Sequence, residues 1–122
     1  YELTMIPKRI KWFIQRGRRG YSTCDTWDVG EYLFTVLPPM LRQLAKDTHG
    51  CPREFYDDTP SGEGIECHLW SKEITRIADD LDRAHALQED FSGDYTEHGK
   101  EAQALIERAF TDLGKNLNAL WD

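Results

Sequence analysis

Hydrophobic positions recur with the period of an α-helix in three long segments of the chain. Apolar side chains spaced three or four residues apart predict one buried face on each helix. The three series are Val29, Leu33, Val36, Leu37, Met40, Leu41 and Leu44; Ile65, Leu69, Ile74, Ile77, Leu81 and Ala84; and Ala102, Leu105, Ile106, Ala109, Phe110, Leu113, Leu117 and Leu120. They predict helices over residues 25–47, 64–90 and 96–120, after a short first helix over 7–17. No segment alternates apolar and polar residues as a half-buried strand does, so we expect an all-α fold.

Proline and glycine interrupt or end these segments. Pro38-Pro39 lies inside the second segment, where two missing backbone donors predict that the helix kinks or restarts. The sequence His49-Gly50-Cys51-Pro52 predicts the end of that segment, with Gly50 suited to a left-handed cap. We therefore expect a compact bundle of three main helices plus a short N-terminal helix, with the second helix kinked.

Length and composition favour one soluble domain. A chain of 122 residues buries enough surface to fold without metal or disulfide links, and 39% hydrophobic residues are enough for a core. No apolar run approaches the roughly 18 residues that span a bilayer. We expect a single helical domain over residues 1–122 with no membrane partner. Since the sequence begins with Tyr1 rather than Met, it is compatible with a preceding leader segment.

Charge is divided unevenly along the chain, whose net charge is −7. Residues 1–19 hold six basic residues and one acidic residue, a net charge of +5, and residues 20–122 hold nine basic and 21 acidic residues, a net charge of −12. A block of one sign marks a solvated face or an interaction arm. The acidic total weighs against sequence-independent binding to DNA.

The densest positive charge lies in the sequence RGRRGYST, residues 16–23. Its glycines free the backbone, and its hydroxyl side chains are suited to cap the helix that follows. Backbone donors and guanidinium groups would then converge on one anion, such as a phosphate, a nucleotide or an acidic partner surface. The predicted anion- or partner-binding residues are Arg16, Arg18, Arg19, Ser22 and Thr23.

The same arginines have a simpler interpretation, in which they pair with acidic residues of the chain itself, such as Asp25 and Asp28. Neither a GxxxxGK[ST] nor a GxGxxG fingerprint occurs, so no known nucleotide loop supports the binding interpretation. Both interpretations stay open at this point.

A further set of residues, between positions 16 and 80, forms a recognisable pattern. The set is Arg19-Gly20-Tyr21-Ser22, Asp25, Trp27, Tyr32, Leu33, Leu37-Pro38, His49-Gly50, Pro52, Trp70 and Ile74. In these residues the chain resembles small helical proteins of unknown function that phages and prophages encode. Cys51 and the acidic loop after it depart from that pattern. The resemblance implies a viral origin, a setting in the host cytoplasm or the virion, and no established activity or catalytic residue.

Cysteine and histidine side chains are the candidate metal ligands. His49, Cys51, Cys67 and His68 would surround a zinc ion if the loop between them folded back. Their spacing matches no known zinc finger, and adjacent residues on one helix point about 100° apart. Together with Cys24 the cysteine count is odd, so we expect free thiols, no metal and no cofactor. A Cys51–Cys67 disulfide is the alternative for an exported protein.

No side-chain pair predicts catalysis, because Cys24 and His85 lack a partner recognisable from the sequence. We assign His85 to packing or to the surface. Trp27 and Trp70 lie within apolar helical segments, so we assign both indole rings to the core.

Two classes of function fit these observations. The first is a non-enzymatic phage-type protein that binds a protein of the host or of the virion. The second is a binder of a nucleotide or nucleic acid, through the arginine-rich loop before the second helix. The two differ in partner and in salt dependence.

Overall fold

A computed structural model describes residues 7–48, 50–52, 68–90 and 95–121. These residues form four α-helices and two 3₁₀ helices, and no strand occurs among them. The α-helices are α1 (Lys8–Arg19), α2 (Val29–Asp47), α3 (His68–Glu89) and α4 (Tyr95–Asn116), and the 3₁₀ helices are Thr23–Trp27 and Leu117–Ala119. The predicted all-α class, with three main helices after a short N-terminal one, is confirmed.

Residue contacts divide the chain into two compact units. The N-terminal unit is Tyr1–Thr35 and the C-terminal unit is Val36–Asp122. The expectation of a single domain stays a prediction.

The second long helix begins later than the sequence pattern predicts. Residues 25–27 belong to the 3₁₀ helix, and α2 starts after Asp28. The Asp28 side-chain Oδ1 accepts a hydrogen bond from the Glu31 N–H at 3.0 Å, and its carbonyl accepts one from the Tyr32 N–H at 3.1 Å. Asp28 therefore satisfies donors that a helix start would otherwise leave open, and it fixes where α2 begins.

Glycine ends α1 but not α2. Gly20 follows α1 with a φ of 85°, the left-handed conformation that a glycine adopts without strain, and its N–H donates to the Arg16 carbonyl at 2.9 Å. α2 ends at Asp47, close to the predicted stop, but the predicted left-handed cap at Gly50 is wrong because Gly50 has no positive φ.

Pro38 and Pro39 lie inside α2, which continues through them from Val29 to Asp47 instead of restarting. Two adjacent prolines remove two intrahelical N–H donors, which weakens a helix on its own. Burial compensates for this loss, since the Pro38 side chain is fully buried and Leu41 on the next turn is buried as well. Tertiary packing thus overrides the local preference of the prolines.

The C-terminal unit is a bundle built on α3. The long side chains of the core lie on one face of α3, and α4 meets them with small residues, so the two helices approach closely. The buried side chains are Trp70, Ile74, Ile77, Ala78, Leu81, Ala84 and Leu87 on α3, and Ala102 and Ala109 on α4. On another side of α3, the Ser71 hydroxyl donates to the Ala45 carbonyl of α2 at 2.9 Å.

Ion pairs fix the antiparallel register of α3 and α4. Going forward along α3 and backward along α4, Arg76 pairs with Asp112, Asp80 with Arg108, and Arg83 with Glu101. Asp80 is the buried member, with 5% of its surface exposed, and it accepts hydrogen bonds from both Arg76 and Arg108. A buried carboxylate needs such partners because an unpaired one is costly.

Candidate binding site in the N-terminal unit

One face of α1 holds the 3₁₀ helix in place. Trp12, Gln15, Arg16 and Arg19 recur at helical spacing and therefore share this face. The Gln15 side-chain Oε1 accepts a hydrogen bond from the Thr23 N–H at 2.8 Å. The arginines predicted to lie in a loop therefore lie on α1, because α1 continues to Arg19 and does not end near residue 17.

Arg16 forms a two-pronged ion pair with Asp25. Its Nε lies 2.9 Å from Asp25 Oδ2, and its Nη2 lies 2.6 Å from Asp25 Oδ1. The backbone N–H of Ser22 also donates to Asp25 Oδ2, at 2.8 Å, within a capping box of the 3₁₀ helix. The hydrogen bonds from Arg16 and then from Ser22 hold the pKa of Asp25 well below its usual range, and the same ion pair raises the pKa of Arg16.

Arg19, the last residue of α1, is fixed by three contacts to the residues that follow the helix. Its Nε donates to the Tyr21 carbonyl at 3.0 Å and its Nη2 donates to the Thr23 hydroxyl at 3.2 Å. Its guanidinium carbon lies 4.4 Å from the centre of the Tyr21 ring, a cation–π contact. The Arg19 side chain is therefore held in one orientation.

The five predicted site residues lie in this unit but do not all point to one place. Ser22 is fully buried, and Thr23 contacts both Gln15 and Arg19. Arg18 is exposed and forms no hydrogen bond or ion pair with a described residue. The simpler interpretation, pairing with Asp25, holds for Arg16. Binding of an anion or a partner by these residues stays a prediction.

The opposite face of α1 is apolar and exposed, a feature that the sequence analysis did not assign. Ile10, Phe13 and Ile14 are spaced as one helical face, on the side away from the 3₁₀ helix. Phe13 is 77% exposed, Ile10 is 50% exposed and Ile14 is 45% exposed. The spacing of these three residues is the signal that would have identified the face. We call Ile10, Phe13 and Ile14 the apolar face of α1.

A cleft of about 440 Å³ lies between the loop and the start of α2 within the same unit. Apolar and aromatic side chains form most of its wall, and Arg19 and Asp25 are the charged residues that line it. The lining residues are Arg19, Gly20, Tyr21, Asp25, Thr26, Val29, Tyr32 and Leu33. No sequence pattern predicts this cleft, because its lining residues come from the end of α1, the 3₁₀ helix and the start of α2, which lie apart in the sequence.

The two tryptophans assigned to the core differ in environment. Trp70 is fully buried on α3, which confirms that assignment. Trp27 is 71% exposed, so its assignment to the core is wrong. Trp27 ends the 3₁₀ helix instead of lying within a long amphipathic helix, and its ring contacts Trp12.

The candidate metal ligands are not all available. Cys51 is disulfide-bonded, so the expectation of a free thiol is wrong at that position, and a disulfide sulfur does not provide the thiolate that zinc binds. Cys24 is a free thiol, as expected. His49 and Cys67 lie outside the described residues. The structure thus removes Cys51 from the proposed ligand set.

His85 is half-buried on α3, and its Nε2 lies 3.1 Å from Glu89 Oε1 one turn later. This placement agrees with the assignment of His85 to packing or to the surface.

Comparison with known protein families, curated proteins and solved structures gives no significant match to this chain. None of the helices in the described part of the chain is long and apolar enough to cross a membrane.

Proposed function

We propose that this chain is a non-enzymatic phage-type protein that binds a protein of the host or the virion through its N-terminal unit. The observation that carries the proposal is the apolar face of α1, on which Phe13 is 77% exposed. Large apolar side chains that stay exposed together mark interaction surfaces more often than isolated ones do. The resemblance to phage-encoded proteins supports a protein of the host or the virion as the partner.

Charge indicates what the partner surface is like. All six charged residues of α1 are basic: Lys8, Arg9, Lys11, Arg16, Arg18 and Arg19. A partner that covers the apolar face would therefore offer an apolar groove with acidic side chains at its edges. Helix-in-groove recognition uses such anchors at positions i, i+3 and i+4, and charge complementarity at the rim accelerates association.

The internal contacts of the unit prepare α1 for binding. A twelve-residue helix is marginal on its own in water. The contacts of Gln15, Arg16 and Arg19 with the loop hold α1 in helical form before a partner arrives. Less conformational entropy is then lost on binding, which favours a stable complex.

The nucleotide or nucleic-acid alternative has less support. Asp25 already neutralises Arg16, and the Tyr21 carbonyl and the Thr23 hydroxyl occupy two of the five donors of Arg19. Of the three predicted arginines, Arg18 and Arg19 keep charges that no described carboxylate balances. Two such arginines are a weak basis for binding a polyanion, which needs many phosphate contacts.

Of the two settings implied by the phage resemblance, the virion is favoured. Cys51 is disulfide-bonded, and disulfides persist in oxidising surroundings such as the periplasm, the extracellular space and virion surfaces. The cytoplasm of the host keeps thiols reduced.

Affinity capture with matched variants tests the proposal. Tagged wild-type protein, Phe13→Gln and Leu117→Gln would be incubated with host lysate and with disrupted virions. Leu117 is the control because it is also an exposed apolar residue, 61% exposed, but lies in the C-terminal unit. We expect one protein that wild type and Leu117→Gln retain and Phe13→Gln loses. Purified, that protein should bind Phe13→Gln about 30-fold more weakly than wild type.

Three outcomes would contradict the proposal. One is capture of the same proteins by all three variants. Another is binding of the purified partner that does not weaken as salt rises, since the basic rim should be screened. The third is concentration-dependent self-association that Phe13→Gln abolishes, which would assign the apolar face to a second copy of the chain.

A further inference from the structure

We infer that the cleft beside the C-terminal end of α1 binds a small organic anion, namely a carboxylate attached to an aromatic or apolar group. This inference does not depend on the protein partner proposed above, because it concerns a different surface of the N-terminal unit. Arg19 would pair with the carboxylate, and the wall of tyrosine, valine and leucine side chains would cover the apolar group.

Size and lining agree with such a ligand. The volume of about 440 Å³ falls within the range of roughly 300–1,000 Å³ that small-molecule sites occupy. The wall residues Tyr21, Val29, Tyr32 and Leu33 provide aromatic and branched aliphatic surface. Small-molecule sites are commonly apolar with a few placed polar groups, which is the balance seen in this cleft.

Arg19 is prepared to bind a carboxylate. A guanidinium group has five N–H donors, and the two hydrogen bonds inside the loop leave three of them without a described partner. The Tyr21 ring and the two accepting oxygens hold the group in one orientation, so little side-chain entropy would be lost on binding. A planar guanidinium with adjacent free donors matches the two oxygens of a carboxylate.

Asp25 lines the cleft, but its negative charge repels a bound anion only weakly. Both of its oxygens accept hydrogen bonds from Arg16, and one also accepts from Ser22. Arg16 balances the charge of Asp25 at close range. Arg19 therefore remains the charge without a balancing partner in the cleft wall.

A hydrogen bond between Tyr32 and Gly20 holds one side of the cleft in place. The Tyr32 hydroxyl donates a hydrogen bond to the Gly20 carbonyl, which connects α2 to the end of α1. Gly20 lines the cleft and has no side chain that would fill it. The cleft is thus formed before a ligand enters it.

Backbone-amide NMR titrations of the full chain test the inference with three probes: phenylacetate, its neutral isostere phenylacetamide, and inorganic phosphate. An N-acetylated dipeptide that ends in phenylalanine forms a fourth arm. We expect phenylacetate to shift the amide signals of Tyr21 and Tyr32, with binding at least about 10-fold tighter than that of phenylacetamide. Tighter binding of the dipeptide than of phenylacetate would identify a peptide carboxyl terminus as the natural source; the reverse would identify a free acid.

Three variants make the result specific. Arg19→Gln should weaken phenylacetate binding about 10-fold or more, and Arg9→Gln, an exposed arginine of α1 that does not line the cleft, should leave it unchanged. Arg19→Gln also removes the hydrogen bonds of Arg19 to Tyr21 and Thr23, which could change the structure of the cleft. Val29→Glu is therefore a second variant. It places a negative charge at the exposed wall without touching a loop hydrogen bond, and it should also abolish binding.

Four results would overturn the inference. Equal binding of phenylacetate and phenylacetamide would show an apolar cleft without an anion site. Phosphate that produces the same shifts would show an unspecific anion contact. Unchanged binding by folded Val29→Glu would place the ligand elsewhere, and the absence of any shift at tens of millimolar phenylacetate would exclude the site.

Discussion

The indole rings of Trp12 and Trp27 meet edge to face, with their centres 5.6 Å apart and their planes at 88°. This geometry is the one that the charge distribution of aromatic rings favours, with the positive edge of one ring against the negative face of the other. Since Trp27 is mostly exposed, this contact, rather than burial in a core, is what the ring contributes to the N-terminal unit. It adds an aromatic contact to the polar bonds that join the 3₁₀ helix to α1.

Trp27→Ala should therefore cost much less than the loss of a core tryptophan. We expect the free energy of unfolding to fall by about 1 kcal/mol, because an edge-to-face pair contributes about 0.5–1.5 kcal/mol beyond its buried area. Chemical denaturation of the single and double variants of Trp12 and Trp27 measures the coupling between the rings. A loss of about 3 kcal/mol or more on Trp27→Ala would show that the ring is buried.

Trp70→Ala should destabilise the protein by about 3–5 kcal/mol, because Trp70 is fully buried among the core side chains of α3. Trp121→Ala is the matched control, since that ring is 72% exposed in the same C-terminal unit. It should change the free energy of unfolding by less than about 1 kcal/mol. Denaturant unfolding followed by circular dichroism compares the two variants, and equal losses would contradict the burial of Trp70.

The sequence was sufficient for the helices and for most of the core. The period of the apolar residues predicted α2, α3 and α4, and Ile74, Ile77 and Leu81 are buried as that period predicts. Met40, Leu69 and Leu117 belong to the same apolar series but are exposed, so their assignment to a buried face is wrong. A long amphipathic pattern is reliable because many apolar residues at helical spacing all indicate the same buried helix face.

The sequence was not sufficient where a short segment takes its structure from its neighbours. Trp27 was assigned to a long helix, but the Ser22–Asp25 capping box and the cap at Asp28 divide that region into two helices. The Arg16–Asp25 pair joins residues nine positions apart across a turn, and helical spacing does not predict such a contact. Pro38-Pro39 shows the reverse case, in which burial maintains a helix that local preferences would interrupt.

Arg76 should contribute more to stability than Arg108, although both bind Asp80. Arg76 also pairs with Glu73 and Asp112, so Arg76→Met leaves three carboxylates with fewer partners. We expect that variant to lower the free energy of unfolding by about 2 kcal/mol. Arg108→Met should cost less, because Arg108 is more exposed and Asp80 keeps its bond to Arg76. Denaturant midpoints measure both, and a larger loss for Arg108→Met would contradict this ranking.

Reduction, rather than metal removal, should destabilise the protein. Cys51 is disulfide-bonded, and breaking a native disulfide usually costs about 2–4 kcal/mol because the unfolded chain regains freedom. We expect a reductant such as dithiothreitol to lower the melting temperature and a chelator to leave it unchanged. Thermal unfolding with each reagent makes the comparison, with Cys24→Ser as the control for the free thiol. A fall in melting temperature on chelation, together with stoichiometric zinc in untagged protein, would contradict this prediction.

Acid should loosen the 3₁₀ helix Thr23–Trp27 only well below the pH at which an ordinary aspartate is protonated. Hydrogen bonds from Arg16 and from the Ser22 N–H depress the pKa of Asp25 in the folded protein, whereas an aspartate in an unfolded chain has a pKa of about 3.9. Because the folded pKa is the lower one, the stabilisation is fully present above the unfolded pKa and is lost as the pH falls through the folded pKa. Carbon-detected NMR of the Asp25 carboxyl group measures its titration, and hydrogen exchange of the 3₁₀ helix measures the opening of the loop. Asp25→Asn should show faster exchange at neutral pH and little further change in acid. An Asp25 carboxyl that titrates at its ordinary value would show that the ion pair with Arg16 does not persist in solution.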